Sequence, residues 1–169
     1  MVAVLLADLL LKALDPRLQR FYADWDKSRK GRRFPAYGDL APADLGDILG
    51  YLTVIEVQHN PLSFRFRLHG AELVRHGGYD MTGKEISELP GEENRRAFLE
   101  RLNYLLESRQ PQIVRSRRML DGRMIRYDAL WVPLSNDGET INMLLRALVY
   151  RDLPPPDGDE SYYESALLP

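Results

Sequence analysis

The sequence contains no cysteine, and this absence excludes several classes of function. Without thiols the chain has no disulfide framework, no thiolate metal site and no cysteine nucleophile. Histidine is scarce as well, because His59, His69 and His76 are the only three and none is followed by another three or four residues later. A zinc-protease motif, a G-x-S-x-G elbow, a P-loop and a dinucleotide fingerprint are all missing. The sequence therefore predicts neither a familiar catalytic centre nor a metal site.

Long hydrophobic runs are missing too. The apolar start, residues 2–14, is shorter than the roughly 20 residues that span a bilayer. It contains Asp8 and Lys12, and it lacks the basic leader and small-residue cleavage site of a signal peptide. The composition is 44% hydrophobic and 28% charged, which is ordinary for a single globular domain. We therefore expect a soluble, cytoplasmic protein of 169 residues that does not enter a membrane.

Charge is unevenly placed along the chain. The net charge is −2, and because the residues after Arg151 contribute −5, the first 151 residues carry +3. Five of the seven residues from Lys27 to Arg33 are basic. A second group consists of Arg115, Arg117, Arg118, Arg123 and Arg126. These groups would suit nucleic acid only if they shared one face, and a charge of +3 favours a solvated surface instead.

Apolar residues in the first 25 positions recur every three or four residues, which predicts helix. Asp15 and Pro16 interrupt the pattern with a good cap and a residue favoured at the first helical position. We therefore predict one helix ending near Leu14 and a second beginning at Pro16, or a single kinked helix. The first helix is apolar over more than one narrow stripe, so it packs on its own domain or on a second copy.

The body of the chain alternates between strand and helix patterns. We predict strands over 52–57 and 64–68 joined as a hairpin, and short helices beginning around Pro42 and over 71–76. A long helix over 92–108 follows, and then strands over 112–120, 124–134 and 140–150. Asp121-Gly122 and Asn136-Asp137-Gly138 are turn signals that make the last three strands a meander. The domains are therefore a helical extension (1–30), a body (31–151) and an acidic, proline-rich tail (152–169) expected to be mobile.

Several short motifs lie in a characteristic order along residues 21–152. They are Trp25, Gly31-Arg32-Arg33-Phe34-Pro35, Asp39-Leu40-Ala41-Pro42, Ile48-Leu49-Gly50-Tyr51-Leu52, Phe64-Arg65-Phe66-Arg67-Leu68-His69-Gly70, Gly78-Tyr79-Asp80-Met81-Thr82-Gly83-Lys84 and Pro133-Leu134-Ser135-Asn136-Asp137-Gly138. In this order and spacing the chain resembles a bacterial PAS-like family long catalogued as a domain of unknown function. The Ala36-Tyr37-Gly38 segment departs from the small and basic residues more usual there.

The resemblance implies an α+β fold with a five-stranded antiparallel sheet, helices on one face and additional N-terminal helices. It implies a sensory or signalling domain that binds a small molecule or a protein partner without catalysis. We expect a homodimer through the N-terminal helices, and a protein signalling partner because no output domain is recognised. The resemblance identifies no cofactor. Cysteine-dependent flavin photochemistry is excluded, whereas flavin bound without that chemistry is not.

A ligand cavity is expected between sheet and helices in such a fold, although side chains fill many of these spaces. Strand alternation puts Ile141, Met143, Leu145 and Ala147 on one face and Ile125, Tyr127, Ala129 and Trp131 on another. The candidate ligand-binding residues are Phe66, Leu68, Leu73, His76, Tyr79, Met81, Leu102, Tyr127, Trp131 and Met143. Two interpretations of His76 remain: it binds haem or a ligand, or it only stabilises the end of its helix.

Phe64, Phe66 and Leu68 are expected to face inward, so Arg65 and Arg67 face outward and pair with acidic neighbours or dock a partner. Two other functions stay open. One is an enzyme or carrier with a cone-shaped α+β fold around a hydrophobic substrate, with a carboxylate or His76 as base. The other is a nucleic-acid-binding protein that uses the basic groups.

Overall fold

The helix that follows Asp15 begins where the sequence predicts. The computed structural model describes residues 10–41, 45–120, 123–151 and 164–167, and the side chains at 118–120, 123 and 164–167 are not described. Helix α1 spans Pro16–Ser28, with Pro16 at its first position. The Asp15 carboxylate caps the helix by accepting a hydrogen bond of 2.9 Å from the Arg17 backbone N–H. Of the helix predicted before it, residues 10–14 are described, and residues 10–12 are helical.

An antiparallel sheet forms the centre of the molecule. Its strands are β1 (Leu52–Gln58), β2 (Ser63–His69), β3 (Gln112–Leu120), β4 (Arg123–Leu134), β5 (Met143–Arg151) and β6 (Glu164–Leu167). They lie in the order β2-β1-β5-β4-β3-β6. The predicted hairpin of β1 and β2 and the meander of β3, β4 and β5 are both confirmed. The short strand β6 pairs with β3 and comes from the segment predicted as a tail.

Within the described residues, two further helices and three short 3-10 helices accompany the strands. Helix α2 spans Ala71–Gly77 and ends at Gly78, whose φ of 77° is the left-handed conformation that glycine adopts without strain. Helix α3 spans Glu92–Ser108, with the predicted boundaries. The 3-10 helices are Tyr37–Asp39, Gly46–Tyr51 and Ile86–Glu88. Of the helix predicted around Pro42, residues 42–44 lie outside the described residues.

Opposite faces of the sheet are covered by different helices. Leu18, Phe21 and Trp25 of α1 are buried, and the Trp25 indole donates a hydrogen bond of 3.0 Å to the Pro133 carbonyl of β4. Helix α1 thus packs on one face, whereas α2 and α3 lie over the other. Although α1 falls in the predicted N-terminal extension, its side chains belong to the same hydrophobic core as the sheet.

The β1–β2 pairing contains an irregularity that changes which side chains face α2 and α3. Val54 lies opposite Leu68 whereas Ile55 lies opposite Phe66, so Arg67 is an extra residue in β2. A bulge of this kind interrupts the alternation of side chains along a strand. As a result Phe66 and His69 face the same side, and Leu68 is half-buried away from them. The predicted inward alternation is correct for Phe64 and Phe66 and wrong at Leu68.

Candidate functional site

A cavity of about 600 Å³ lies between the sheet and helices α2 and α3. Such a volume is within the range of small-molecule sites, about 300–1,000 Å³. Its inner wall is formed by β2, β4 and β5, and its rim by the exposed residues Asn94, Ala97, Glu100 and Tyr104 of α3. The cavity therefore has a buried interior and an opening along one helix.

Aromatic rings form a continuous series along the inner wall. His69 lies 5.8 Å from Tyr79 and 5.9 Å from Phe66, measured between ring centroids. Phe66 lies 5.6 Å from Phe98, and Phe98 meets Trp131 edge to face at 5.5 Å. Rings at these separations attract one another, and because they are tilted or edge to face they present both ring faces and ring edges to the cavity. The inner wall is therefore apolar and aromatic.

His69 is a buried polar group in this wall, with 9% of its surface exposed. The Met81 backbone N–H donates a hydrogen bond of 3.2 Å to its Nδ1 atom. A ring nitrogen that accepts such a bond carries no proton, so the neutral ring has its proton on Nε2. Its backbone N–H is bound to the Thr82 hydroxyl at 3.1 Å. The ring orientation is therefore set by the loop that follows α2.

Arg146 of β5 supplies a positive charge to the same wall. Its guanidinium lies over the rings of Phe98 and Trp131, 5.2 Å and 5.4 Å from their centroids. It also donates a hydrogen bond of 2.9 Å to the Thr53 hydroxyl. Stacking on two rings fixes the guanidinium and lets a charged group lie beside apolar side chains.

Arg101 of α3 is a second guanidinium on the cavity, placed at its rim. Burial lowers the pKa of Arg101, and the neighbouring Tyr127 and Tyr104 act in the opposite direction. An arginine stays charged even so. Among the residues whose side chains are described, no carboxylate forms an ion pair with Arg101. The half-buried charge therefore faces the cavity without a counter-ion from the described part of the chain.

The structure brings half of the predicted ligand-binding residues to the cavity. Phe66, Leu73, Tyr79, Tyr127 and Trp131 line it, and Leu68, His76, Met81, Leu102 and Met143 are not part of its lining. Met81 and Leu102 are buried in the core, and His76 packs edge-on against Tyr150 with centroids 4.9 Å apart. Trp131 pairs with Arg146, and both line the cavity. Leu134 pairs with Met143 three residues further along, and because side chains alternate along a strand, this second pair lies on the α1 face.

The prediction for β5 is therefore wrong, because the predicted face of this strand does not face the cavity under α2 and α3. Leu145 and Ala147 share the α1 face with Met143, whereas Arg146 and Leu148 line the cavity. Both faces of this strand are buried, so hydrophobicity alone does not distinguish them. The predicted face of β4 is correct for Tyr127, Ala129 and Trp131.

Sequence reasoning missed three basic residues of the cavity, His69, Arg101 and Arg146. Alternation from Phe66 excludes His69 unless the bulge at Arg67 is known. Arg101 is placed among the polar residues of α3 by its residue type, and Arg146 stands in an otherwise apolar strand. That isolated arginine between Leu145 and Ala147 was the available signal, because an ionised side chain in a buried strand requires partners or a function.

The basic groups considered for nucleic acid are paired with acids at several positions. In the first group Arg29 pairs with Asp26, and Arg32 and Lys30 pair with Asp39. In the second, Arg115 donates to the buried Asp128 carboxylate at 2.9 Å. These acids reduce the positive charge presented by both groups.

Arg65 and Arg67 also face outward and are paired, as predicted. Arg67 bonds Glu56 of β1 at 3.0 Å, and Arg65 bonds Glu85 at 2.9 Å. Among the described residues, no three His, Asp or Glu side chains gather as a metal site would require. Within the same residues no helix is both long and apolar enough to cross a membrane.

A family model described as a PAS domain matches residues 14–149, which is most of the chain. The chain belongs to the PAS family. Its α+β fold is the predicted one, with the five predicted antiparallel strands as β1 to β5 and the short β6 added at the edge beside β3. The predicted resemblance is confirmed at the level of this family. PAS domains generally act in sensing and do not catalyse reactions. A search of curated proteins found no match.

Solved structures of PAS and LOV proteins are similar to this chain. VqmA bound to DPO is 14% identical with a TM-score of 0.48, over 60% of this chain and 53% of that protein. A sensory box sensor histidine kinase from Vibrio cholerae is 17% identical with a TM-score of 0.45, over 66% and 90%. The LOV protein of Rhodobacter sphaeroides is 15% identical with a TM-score of 0.43, over 66% and 62%. The chain thus spans about half of the first protein.

Proposed function

We propose that this PAS chain is a sensory domain whose cavity binds a small organic molecule and which acts by binding rather than by catalysis. The main support is the 600 Å³ space itself, which lies against five of the residues selected from sequence. A native core is normally close-packed, so a space of this size against an aromatic wall is unusual unless something occupies it. The cytoplasm remains the compartment that we propose.

The polar groups support binding over catalysis. His69 uses Nδ1 for a structural bond to Met81, and Arg146 is held by two rings and Thr53. General acid–base catalysis needs a titratable group within reach of another polar group that activates it. We propose no such role for His69 or Arg146, because the contacts described for both groups fix their positions in the wall. The arrangement instead suits recognition by shape, stacking and charge.

The binding proposal can be tested with a variant that fills the opening. Ala97 is exposed at the rim, so Ala97→Trp places a large ring at the opening without disturbing the core. Leu62→Trp is the matched control, because Leu62 is 51% exposed on the β1–β2 turn. Native mass spectrometry of freshly purified protein and calorimetric titration with N-phenyl-naphthylamine, a neutral aromatic probe, would measure occupancy.

We expect the wild type and Leu62→Trp to retain a bound mass or to bind the probe at one site. Ala97→Trp should weaken that binding by about tenfold or more, because the ring occupies space that the ligand needs. Absence of both a bound mass and probe binding in the wild type would refute the proposal. Equal binding by the two tryptophan variants would place the ligand elsewhere.

We also propose that occupancy is transmitted across the sheet to α1. Trp131 lines the cavity, and two residues later the Pro133 carbonyl accepts the Trp25 indole hydrogen bond. A ligand that shifts β4 therefore changes the position at which α1 packs on the sheet. This changes the populations of two conformations that are already in equilibrium. Hydrogen exchange of α1 should slow or accelerate when the neutral probe binds. Unchanged exchange at saturation would contradict this path.

The proposed homodimer depends on the segment before α1. Leu18, Phe21 and Trp25 of α1 are already buried against their own sheet. Leu10 and Leu11 pack only partly against the core, and residues 1–9 lie outside the described residues. A chain lacking residues 1–9 should therefore be monomeric by light scattering while its unfolding midpoint changes little. A dimer of unchanged stability would assign the contact to another surface.

We further propose that the chain binds a protein signalling partner, because it is a PAS domain. The exposed residues along α3 are candidates for contact, because they surround the opening and would change environment on binding. Nucleic acid is not proposed as a partner, since acids pair with Arg29, Lys30 and Arg32 in the first basic group and with Arg115 in the second.

A further inference from the structure

The chemistry of the cavity wall narrows the class of ligand. The wall is aromatic along its interior, through Phe66, Phe98 and Trp131. Four arginines border the cavity, and two of them, Arg101 and Arg146, lie on the walls that face it; its one carboxylate, Glu100, is exposed at the rim. A site with this composition favours a molecule that is apolar or aromatic at one end and negatively charged at the other.

The neighbouring arginines do not alter this balance. Arg115 and Arg117 border the cavity. However, Val114 and Ser116 are the residues of β3 on the cavity face, beside Ala129 and Tyr127, so the alternation of the strand places Arg115 and Arg117 on the other face. Arg115 is held by Asp128 on the α1 face. The charge on the cavity therefore comes from positions 101 and 146, which approach it from opposite walls, α3 and β5.

Of these two residues, Arg101 is the one available to a ligand. Arg146 already contacts two rings and the Thr53 hydroxyl. Arg101 is half-buried, and within the described side chains no carboxylate balances it. A charge removed from water without a counter-ion is unfavourable, and a bound anion would relieve that cost.

We propose that the cavity binds a small aromatic organic anion whose negative group pairs with Arg101 while its apolar body lies along the Phe66–Phe98–Trp131 wall. This inference rests on the proposed function, because it names the ligand class of the same cavity. Arg146 and Ser116 line the interior and would contact polar atoms of the body. Arginine suits this role because its fork matches a carboxylate or sulfonate with two hydrogen bonds.

Two probes with the same aromatic body separate the inference from the proposed function. Anilinonaphthalene sulfonate carries a negative group, and N-phenyl-naphthylamine is the same compound without its sulfonate. Calorimetric titration of the full chain with each probe gives a ratio of affinities. The variants are Arg101→Met, which keeps the length but removes the charge, Arg101→Lys, which keeps the charge, and Arg96→Met, which removes an exposed arginine of α3 outside the cavity.

We expect the wild type to bind the sulfonate about tenfold or more tightly than the neutral probe. Arg101→Met should abolish that preference while leaving neutral-probe binding within about twofold, because the stacking wall is unchanged. Arg101→Lys should retain part of the preference, and Arg96→Met all of it. Ala97→Trp should weaken both probes, which ties the signal to this cavity.

Different results overturn different statements. If neither probe binds the wild type, the anion inference is wrong, and if the wild type also retains no bound mass, the proposed function fails. If the neutral probe binds as tightly as the sulfonate, or if Arg101→Met keeps the preference, the cavity binds ligands but the anion inference is wrong. Circular dichroism establishes that each variant is folded. If Arg101→Met does not fold, the ratio of the two affinities in the wild type and its change in Arg101→Lys still test the inference. Equal affinity of the wild type for the two probes would contradict it.

Discussion

The two faces of one sheet are built in opposite ways. On the α1 face, side chains from Leu18, Phe21 and Trp25 meet a buried sheet surface, and the Trp25 indole is bonded to β4. On the face toward α2 and α3, the same strands border a space of 600 Å³ with two arginines on its wall. Close packing contributes stability, and an open wall contributes room for a ligand. The contrast is that one face packs closely and stabilises the fold, while the other borders the cavity that we propose binds a ligand.

The largest expected effect on stability comes from replacing the two tryptophans, which lie on opposite faces of the sheet. Trp25→Ala should lower the free energy of unfolding by about 3–5 kcal/mol, because it leaves a void in a packed core and removes a hydrogen bond. Trp131→Ala should cost about 1–2 kcal/mol less, because its ring already borders open space. Urea unfolding of both variants measures the difference. Equal losses would mean that the cavity side is packed as tightly as the other.

A matched pair of alanines tests the same contrast with opposite signs. Ala147 is fully buried on the α1 face, so Ala147→Leu overfills that layer and should cost about 1–3 kcal/mol. Ala129 is 1% exposed on the cavity side, so Ala129→Leu has space to enter and should be neutral or stabilising by up to about 1 kcal/mol. Denaturant unfolding gives both values. Losses of similar size in the two variants would contradict the difference between faces.

The cap of α1 should make a smaller contribution that depends on pH. The hydrogen bond from Arg17 lowers the pKa of Asp15, so the ionised carboxylate stabilises the folded state. Asp15→Ala should cost about 1 kcal/mol at neutral pH. Because the folded pKa is below the unfolded one, this stabilisation is present above an unfolded pKa of about 3.9 and is lost as pH falls further. Asp15→Asn is the control, since it keeps a cap without a titrating charge.

Chemical unfolding of these variants between neutral and acidic pH checks the sign. The gap between wild type and Asp15→Ala should narrow toward acid. A gap that widened below the usual aspartate range would show that the carboxylate does not stabilise α1.

The smallest expected effect lies outside both faces. Arg67 and Glu56 pair across the edge hairpin with side chains 48% and 30% exposed. Exposed pairs of this type contribute about 0–1 kcal/mol, so Arg67→Gln should change stability by less than about 1 kcal/mol. A double-mutant cycle with Glu56→Gln isolates the pair. A coupling well above that limit would indicate that this edge, and not only the two faces, supports the fold.

Much of the fold could be predicted from sequence because its signals are local. The helix at 92–108 has an apolar stripe between clear ends, and Asp15 followed by Pro16 marks the start of α1. Turn residues at Asn136-Asp137-Gly138 separate the strands of the meander. These signals depend on neighbouring residues, and the resemblance to PAS proteins supplied the arrangement of the elements.

The cavity was harder to predict, because its residues depend on contacts between distant segments. The bulge opposite Val54 and Ile55 decides that His69, and not Leu68, faces the cavity. Which side of β5 meets α1 is decided by where α1 packs, so Arg146 could not be assigned to a wall in advance. Tyr127 and Trp131 were predicted because β4 has bulky rings on one side and a regular alternation.

The placement of the two tryptophans has an optical consequence. The chain has only these two, Trp25 behind the sheet and Trp131 beside the cavity. In a Trp25→Phe protein, all indole emission comes from the cavity side, so its intensity and colour report directly on occupancy. In a Trp131→Phe protein the emission reports on α1 alone. The molecule therefore contains one fluorescent reporter for the cavity wall and one for α1, and these would follow the proposed entry of a ligand and the proposed response of the opposite face separately.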